Sequence, residues 1–357
     1  METRNTTKKK IVVDRGRFVL EVMIVFFGIC LFMIIPLLFL RLLIDVKSTF
    51  YGPLYYLLRA LGILIAIPLF LFILNKFLDS PIKNHSLEDD SSPVSRHLNL
   101  YSVPGGYFKQ QLLYGILILF IVFIPLDFLT YFLIPEMLEF TGNVLSTQAT
   151  DAYLLRGYFV FLFSVIIIQI SVAIYEESLT RGFLTMRGGE YFHKISAVII
   201  SSLYFGLMHF LYYFHPISRN YPVWFPLIWF LQTFTVGIML SIFIVKKKKI
   251  WPLIFAHALN NIISAHAVWN YLQGNDFSLV AIYLYFPLLI ISGFIAVLFI
   301  IYFPRIKQGI STGFDEFKIY FKKDDSIGES KSDLYFRVFF DFLIGLLILI
   351  IGLFFLI

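Results

Sequence analysis

The feature that most limits the fold of this chain is a series of long apolar stretches separated by short polar segments. Each stretch holds about 20 mostly apolar residues, the length that an α-helix needs to cross a bilayer. Nine stretches are predicted to be membrane spans, at residues 18–43, 54–75, 110–134, 153–178, 195–214, 223–245, 250–268, 278–303 and 335–357. The pattern therefore predicts an all-α fold, a polytopic membrane helix bundle of about eight to nine transmembrane helices.

The composition supports the same fold class and excludes several others. The chain of 357 residues is 59% hydrophobic and 15% charged, whereas soluble domains are about 45–50% apolar and about 25% charged. Its single cysteine, Cys30, excludes a disulfide framework and a cysteine-based zinc site. The lysine and arginine residues lie near the ends of the apolar stretches, so the predicted partner is the lipid bilayer and no nucleic acid. We expect the first stretch to remain in the mature protein, because it is longer than the apolar part of a signal peptide.

The distribution of lysine and arginine predicts how the chain is oriented, because cytoplasmic segments of membrane proteins are enriched in both residues. With a cytoplasmic N-terminus and nine spans, 24 of the 29 lysine and arginine residues fall in cytoplasmic segments. Those segments are 1–17, 76–109, 179–194, 246–249 and 304–337. We therefore expect a multi-pass protein of a bacterial plasma membrane, with its C-terminus outside. We also expect its functional site to open toward the cytoplasm.

The same pattern divides the chain into four parts. Residues 1–17 form a cytoplasmic tail, and residues 18–149 form N-terminal membrane helices around the polar loop 76–108. Residues 150–303 form the membrane core that carries the candidate functional residues. Residues 304–357 comprise a polar linker and a final membrane helix. The polar segments 76–108 and 304–334 are predicted to be loops or partly disordered segments, and Arg59 interrupts the second apolar stretch near its start.

Ionisable residues within membrane spans are functional candidates by default, because they are costly in hydrocarbon. The fourth stretch ends in YEESLTRG, residues 175–182. Glu177 and Arg181 are four residues apart on a helix and can pair. Glu176 is turned by about 100° from Glu177 and can point into the bundle.

Two later stretches carry further polar pairs at helical spacing. Phe205 and His209 share a helix face, as do His257 and Asn261. A histidine and an amide side by side are two donors that suit a developing oxyanion. A carboxylate near a histidine suits a general base that activates water. Each feature alone also fits a structural interpretation, as an interfacial acid, a buried hydrogen-bonded histidine or polar contacts between helices.

Taken together and in order, these motifs resemble a known family. They are EE-x-x-x-R (Glu176, Glu177, Arg181), F-x-x-x-H (Phe205, His209) and H-x-x-x-N (His257, Asn261). This set resembles the CPBP family of membrane proteases, which contains the type II CAAX prenyl endopeptidases and the bacteriocin-processing or Abi-type proteins. The resemblance covers residues 150–270 and implies an intramembrane endopeptidase that acts on membrane-associated proteins or peptides.

The resemblance also implies a role for each residue. Glu176 would activate water with the help of His209, and His257 and Asn261 would bind the oxyanion. Glu177, Arg181 and Phe205 would support the site. This mechanism requires no cofactor. A zinc ion held by Glu176, His209 and His257 is the alternative, although the H-E-x-x-H spacing typical of zinc proteases is absent.

A second functional class stays open at this point. A non-enzymatic membrane protein, such as an immunity factor or a small-solute transporter, could use the same polar cluster for binding. A transporter would favour two related halves with broken helices, and the sequence shows no internal repeat.

Three positional expectations complete the prediction. Asp127 is expected at the outer membrane interface, and Glu21 is expected to pair with Arg17, four residues earlier. His209 lies about 22 Å along its helix if that helix begins at Lys194, whereas Glu176 is near the predicted end of its own. The two can meet only if the fourth helix continues past Arg181, and we expect it to run to about Met186, before two glycines.

Overall fold

The computed structural model describes residues 2–77, 91–103, 107–302, 304–323 and 329–356. Within these ranges all regular structure is helical, which confirms the all-α class. Among the described residues, eight helices are long and apolar enough to cross a membrane by length and composition. They are Lys8–Leu43, Tyr51–Phe77, Phe108–Phe132, Tyr158–Tyr191, Lys194–Phe214, Trp224–Lys247, Phe277–Phe299 and Lys331–Leu356. The chain is a multi-pass integral membrane protein.

The α-helices are numbered in chain order, and several are joined end to end by short π or 3₁₀ turns. They are α1 (Glu2–Leu43), α2 (Tyr51–Phe77), α3 (Pro93–Asn99), α4 (Phe108–Ile118), α5 (Ile124–Asp127), α6 (Glu136–Leu145), α7 (Tyr158–Glu177), α8 (Met186–Tyr191), α9 (Lys194–Phe210), α10 (Trp224–Lys247), α11 (Trp251–Leu272), α12 (Phe277–Val280), α13 (Phe286–Tyr302), α14 (Pro304–Tyr320) and α15 (Lys331–Leu356).

Helix α11 corresponds to the predicted span that is missing from these eight. It is a helix of 22 residues, and it packs against α4 and α7. Its histidines, asparagines and serine lower its mean hydropathy. Four of these polar residues, His257, Asn260, Asn261 and Ser264, line an internal cavity. Helix α11 is therefore less apolar than its neighbours because part of its surface faces the cavity.

The helix that carries the two glutamates is longer than its apolar stretch. Helix α7 continues through a π-helix, Ser178–Thr185, into α8, so that one helical segment of 34 residues runs from Tyr158 to Tyr191. This confirms that the helix continues past Arg181, although it ends five residues beyond Met186. All eight residues of the π-helix are buried. Such π segments are frequent at functional sites, because the wider turn re-aims the side chains that follow.

Glu176 and His209 lie at equal distances along the chain from one tight turn, which explains how they reach the same depth in the bundle. This turn, at residues 192–193, joins helices α8 and α9. Fifteen residues separate Glu176 from Tyr191, and fifteen separate Lys194 from His209. At a rise of about 1.5 Å per residue, both side chains lie about 22 Å along their helices from this turn. The two residues therefore meet at the same level.

The bundle has two distinct ends. At the first, the lysine end, Lys249 Nζ donates to Ser102 Oγ at 2.5 Å and Trp251 Nε1 donates to the Tyr101 carbonyl at 2.7 Å. This end also holds the turn between α8 and α9. At the other, the loop end, Arg156 Nη2 donates to the Lys47 carbonyl at 3.4 Å. The loop end comprises residues 44–50, 146–157 and 211–223.

Two sequence expectations about the periphery are wrong. Residues 304–320, predicted to lie in a loop, form helix α14, whose apolar and polar residues recur at the spacing of an amphipathic helix. Glu21 pairs with Arg187 at 2.6 Å rather than with Arg17, because helix α1 packs against α8. Residues 78–90, 104–106 and 324–328 of the predicted loops lie outside the described residues.

Candidate active site

The three motifs meet around one cavity of about 600 Å³. Glu176 comes from the end of α7, His209 from the end of α9, and His257 and Asn261 from the first half of α11. The four side chains all line this cavity, although up to 85 positions separate them in the sequence. The site is therefore built by the packing of three helices.

The two adjacent glutamates occupy different environments. The Glu176 side chain is 28% exposed, within the cavity, whereas the Glu177 side chain is fully buried at 0%. Glu177 Oε1 accepts a hydrogen bond from Arg181 Nη1 at 3.1 Å, as the four-residue spacing predicted. The Arg181 guanidinium also lies over the Phe205 ring at 4.3 Å, a cation–π contact. Phe205 thus contacts the ion pair from the next helix.

His257 lies between the two glutamates, a contact that sequence analysis missed. Its Nδ1 is 2.8 Å from Glu177 Oε1, and its Nε2 is 3.6 Å from Glu176 Oε2. An ionised carboxylate only accepts hydrogen bonds, so Nδ1 carries a proton toward Glu177. Nε2 is left to face Glu176 and the cavity. Glu177 therefore orients a histidine 80 residues away as well as an arginine one turn away.

His209 is fixed by its own helix. Its Nδ1 donates to the Phe205 carbonyl at 2.9 Å, and its ring packs against Phe205 and Trp229, with centroids 5.0 and 5.9 Å apart. This arrangement leaves Nε2 of His209 as the nitrogen without a backbone partner. The ring is therefore oriented with one lone pair available at the cavity.

Asp127 belongs to the cavity wall, and its predicted interfacial position is wrong. The residue is 3% exposed, and it accepts hydrogen bonds from Gln232 Nε2 and Ser264 Oγ, each at 2.7 Å. Two π-helices, at 119–123 and 128–132, flank its short helix and place it against α10 and α11. The sequence did contain a signal for this buried position, because Gln232 and Ser264 are polar residues within other apolar stretches and could have been considered as its partners.

Comparison with known protein families gives one match for the part of the chain that carries these residues. Residues 158–263 match the model of the family described as type II CAAX prenyl endopeptidase Rce1-like. This segment is Rce1-like. It contains all seven motif residues, from Glu176 to Asn261, and it confirms the resemblance to CPBP membrane proteases. No curated protein and no solved structure matches the chain. The match supports intramembrane endopeptidase activity in general and implies a peptide or protein substrate.

The side chains around the cavity can be compared with the ligands of a zinc site. Among the residues that the structure describes, no three histidine, cysteine, aspartate or glutamate side chains are grouped so as to hold a metal ion. Both cavity histidines donate from Nδ1, His257 to Glu177 and His209 to the Phe205 carbonyl. Such bonds leave Nε2 of each ring as the nitrogen that could reach a metal, so zinc held by Glu176, His209 and His257 stays the alternative to a metal-free site.

The cavity is closed toward the lysine end and extends toward the loop end. On the closed side, residues 177–185 are all buried. Toward the loop end, the cavity is lined by Gln148 and His215, both partly exposed. The access side is therefore opposite to the side that carries Lys246–Lys249.

Proposed function

We propose that the chain is an intramembrane endopeptidase that hydrolyses peptide bonds of membrane-associated proteins or peptides with water activated by Glu176. The observation that carries the proposal is the contrast between the two glutamates. Glu176 faces the cavity and, among the described residues, no lysine or arginine lies within ion-pair distance of it. A carboxylate that is accessible and not neutralised by a cation can accept a proton.

In the first step, Glu176 removes a proton from a water molecule as the water oxygen attacks the peptide carbonyl carbon. The new carbon–oxygen bond forms while the carbonyl π electrons move to its oxygen. His209 Nε2, at the same level of the bundle, positions the water as a second acceptor. General base catalysis of this kind contributes about 10²–10⁴-fold to the rate.

In the second step, the oxyanion is stabilised and then collapses. His257 can donate from Nε2 only when both ring nitrogens carry protons, because the Nδ1 proton is held by Glu177. The proton that Glu176 took from the water passes to Nε2 of His257, 3.6 Å from Glu176 Oε2, and the imidazolium and the Asn261 side-chain amide are then two donors at one wall of the cavity. As the carbonyl re-forms, the carbon–nitrogen bond breaks and the same proton returns through Glu176 to the leaving amine.

For localisation, we propose the bacterial plasma membrane with the lysine end in the cytoplasm. The excess of 24 of 29 basic residues supports this orientation. It conflicts with the expectation of a site that opens to the cytoplasm, since the cavity extends to the loop end. With the lysine end in the cytoplasm, the cavity is entered from the non-cytoplasmic side.

The orientation is tested by labelling single cysteines in intact cells, in a Cys30→Ser background. An impermeant maleimide should label Arg219→Cys, at the loop end, and leave Lys248→Cys unlabelled until the cells are opened. The reverse pattern would place the cavity entrance in the cytoplasm.

The mechanism is tested by replacing the proposed base. Glu176→Gln should abolish cleavage. In cells, the protein termini that the native enzyme generates among membrane and secreted proteins should be absent, and the substrate identified in this way should not be turned over by the purified variant. Its melting temperature should match that of the native protein, because Glu176 has no cation partner. Glu136→Gln, an exposed carboxylate of α6, is the control and should retain full activity.

Three outcomes would count against the mechanism. Near-native cleavage by Glu176→Gln would show that Glu176 is not the base. Identical termini in native and Glu176→Gln cells would favour the non-enzymatic alternative. Activity that a chelator removes and zinc restores would favour a metalloprotease.

A further inference from the structure

Arg59, on α2, differs from the buried arginines of the described residues. Arg15, Arg181, Arg187 and Arg337 each pair with a carboxylate, at 2.6, 3.1, 2.6 and 2.8 Å. Arg59 has no carboxylate within ion-pair distance among the described residues, and its Nε is buried without a hydrogen-bond partner. A guanidinium at membrane depth is costly, and one without an anion is a candidate for ligand binding.

The surroundings of Arg59 leave it open to the cavity. Its guanidinium lies over the rings of Tyr175 at 4.5 Å and Tyr55 at 5.6 Å. The aromatic contacts stabilise the cation and hold its plane, but they supply no negative charge. The residue lines the cavity and is partly exposed there. Since no carboxylate of the described residues lies within ion-pair distance of Arg59, an anion that enters the cavity can pair with it directly.

The position of Arg59 relates this missing anion to the chemistry. Tyr175, on which the guanidinium stacks, directly precedes Glu176 in the chain. Arg59, Tyr175 and Glu176 all line the cavity, so an anion bound at Arg59 shares this cavity with the carboxylate that activates the attacking water. A substrate that reaches both must carry its negative charge close to the bond that is cleaved.

The charge balance of the cavity selects the kind of anion. Asp127, Asp151 and Glu176 line it, whereas Arg59 is the only lysine or arginine among the described lining residues. A doubly charged phosphate meets more repulsion from three carboxylates than a singly charged carboxylate does. The planar guanidinium also matches a carboxylate through two parallel hydrogen bonds.

We propose that Arg59 binds a carboxylate of the substrate, next to the cleaved bond. This carboxylate is either the free C-terminus of the peptide or an aspartate or glutamate side chain. The assignment rests on the proposed function in taking a peptide as the ligand, although it can be measured without turnover. Arg59 is then a residue that determines specificity, separate from the residues that perform hydrolysis.

The experiment measures peptide binding to the purified Glu176→Gln variant in detergent, by fluorescence anisotropy. The probes are dye-labelled apolar hexapeptides in three matched forms: with a free C-terminus, with a C-terminal amide, and with a C-terminal amide plus one internal glutamate. We expect a form with a carboxylate to bind at least about tenfold more tightly than the uncharged amide. Preference for the free C-terminus or for the internal glutamate identifies the source of the carboxylate.

Variants of Arg59 decide whether this residue is responsible. In the Glu176→Gln background, Arg59→Gln should remove the preference, and Arg59→Lys should keep part of it, since lysine retains the charge without the fork geometry. Arg156→Gln, at an exposed arginine of the loop end, is the matched control and should leave the preference unchanged. Melting curves verify that each variant is folded.

Two results would overturn the proposal. One is equal binding of charged and uncharged peptides by the Glu176→Gln variant that retains Arg59. The other is a preference for a carboxylate that survives in Arg59→Gln. The result is independent of the catalytic assignment. A carboxylate preference that depends on Arg59, combined with normal cleavage by Glu176→Gln, would refute the proposed base and leave the carboxylate site intact.

Discussion

Two clusters of ionisable residues lie along the same helical segment, Tyr158–Tyr191, and they are organised in opposite ways. Near the lysine end, Arg187 pairs with Glu21 at 2.6 Å, and Glu190 pairs with Arg96 at 2.7 Å. Near the middle of the segment, Glu177 is fully buried and paired, whereas its neighbour Glu176 is 28% exposed in the cavity. One cluster is closed by mutual pairing, and the other keeps one carboxylate open.

The difference separates what ionisable groups do for folding from what they do for chemistry. A buried charge whose partner is removed is strongly destabilising, so paired groups are tied to the fold. A charge that remains accessible in a cavity contributes little to the fold and can act on a ligand. Glu177 stands between these classes, because it pairs with Arg181 and also orients His257.

Glu177→Gln tests this intermediate position and should have the largest effect. It removes the charge that neutralises Arg181, and it replaces the carboxylate oxygen that accepts from His257 Nδ1 by a neutral amide oxygen, which is a weaker acceptor. We expect a loss of about 3–5 kcal/mol in stability together with a loss of cleavage. Thermal unfolding and turnover of the same preparation measure both.

The partner substitution sharpens this test. Arg181→Ala should destabilise to a similar extent, and the double variant should be less destabilised than the sum of the two, since both remove one contact. Melting curves of Glu177→Gln and Arg181→Ala that match the native protein would refute a structural role for the pair.

Glu21→Gln tests the closed cluster and should alter stability alone. Arg187 would lose one of its two carboxylates, because Glu190 also pairs with it, at a cost of about 1.5–3 kcal/mol, while the cavity is untouched. Turnover per folded molecule should equal that of the native protein. Asp315→Asn is the control, because its pair with Lys318 is exposed and contributes little. A fall in turnover of the folded protein would show that the two clusters are coupled.

His97 predicts a pH dependence of stability. Burial lowers the pKa of this α3 histidine to about 4 from an ordinary 6.5, against a smaller opposing effect of its hydrogen bond to the Gly182 carbonyl. The unfolded chain then binds more protons than the folded chain between these values, so stability falls as the pH falls from about 6.5 to about 4. The loss reaches about 3 kcal/mol across that window.

Denaturant unfolding at several pH values measures this effect, and a His97→Gln variant provides the comparison. The variant should lack the part of the acid slope that His97 contributes. An unchanged slope in His97→Gln would show that the histidine does not titrate with folding.

The sequence was most informative where local spacing determines the contact. The apolar stretches predicted the helices, and the four-residue spacing predicted the Glu177–Arg181 pair. The contact between Glu177 and His257 could not be predicted, because it depends on how α11 packs against α7. Asp127 was misplaced for the same reason. Its partners Gln232 and Ser264 lie on other helices, and two π turns set which way it points.

The direction in which the cavity extends was also beyond the sequence. The distribution of basic residues predicts which segments are cytoplasmic, but it does not show on which side of the buried π-helix a cavity lies. The distance of Glu176 from the end of its apolar stretch suggested a site near the lysine end. The continuation to Tyr191 moves it about 22 Å away from that end.

Asp127→Asn should have the smallest effect, and it tests whether a third kind of role exists. Asp127 uses both carboxylate oxygens, one for Gln232 on α10 and one for Ser264 on α11. The amide of asparagine has the same shape but keeps only one acceptor oxygen, so one of these two donors loses its partner. Because α11 also carries His257 and Asn261, a small rotation of this helix displaces the proposed oxyanion donors.

We expect Asp127→Asn to lower kcat about tenfold, with KM unchanged, because misplacement of a catalytic group raises the barrier without removing the group. Ser264→Ala is the matched control, since it removes one of the two contacts from the other side and should give a smaller decrease in the same direction. A loss as large as that of Glu176→Gln would instead assign Asp127 to the reaction itself. A fall in melting temperature equal to that of Glu21→Gln, with kcat unchanged, would place Asp127 with the paired residues that stabilise the fold.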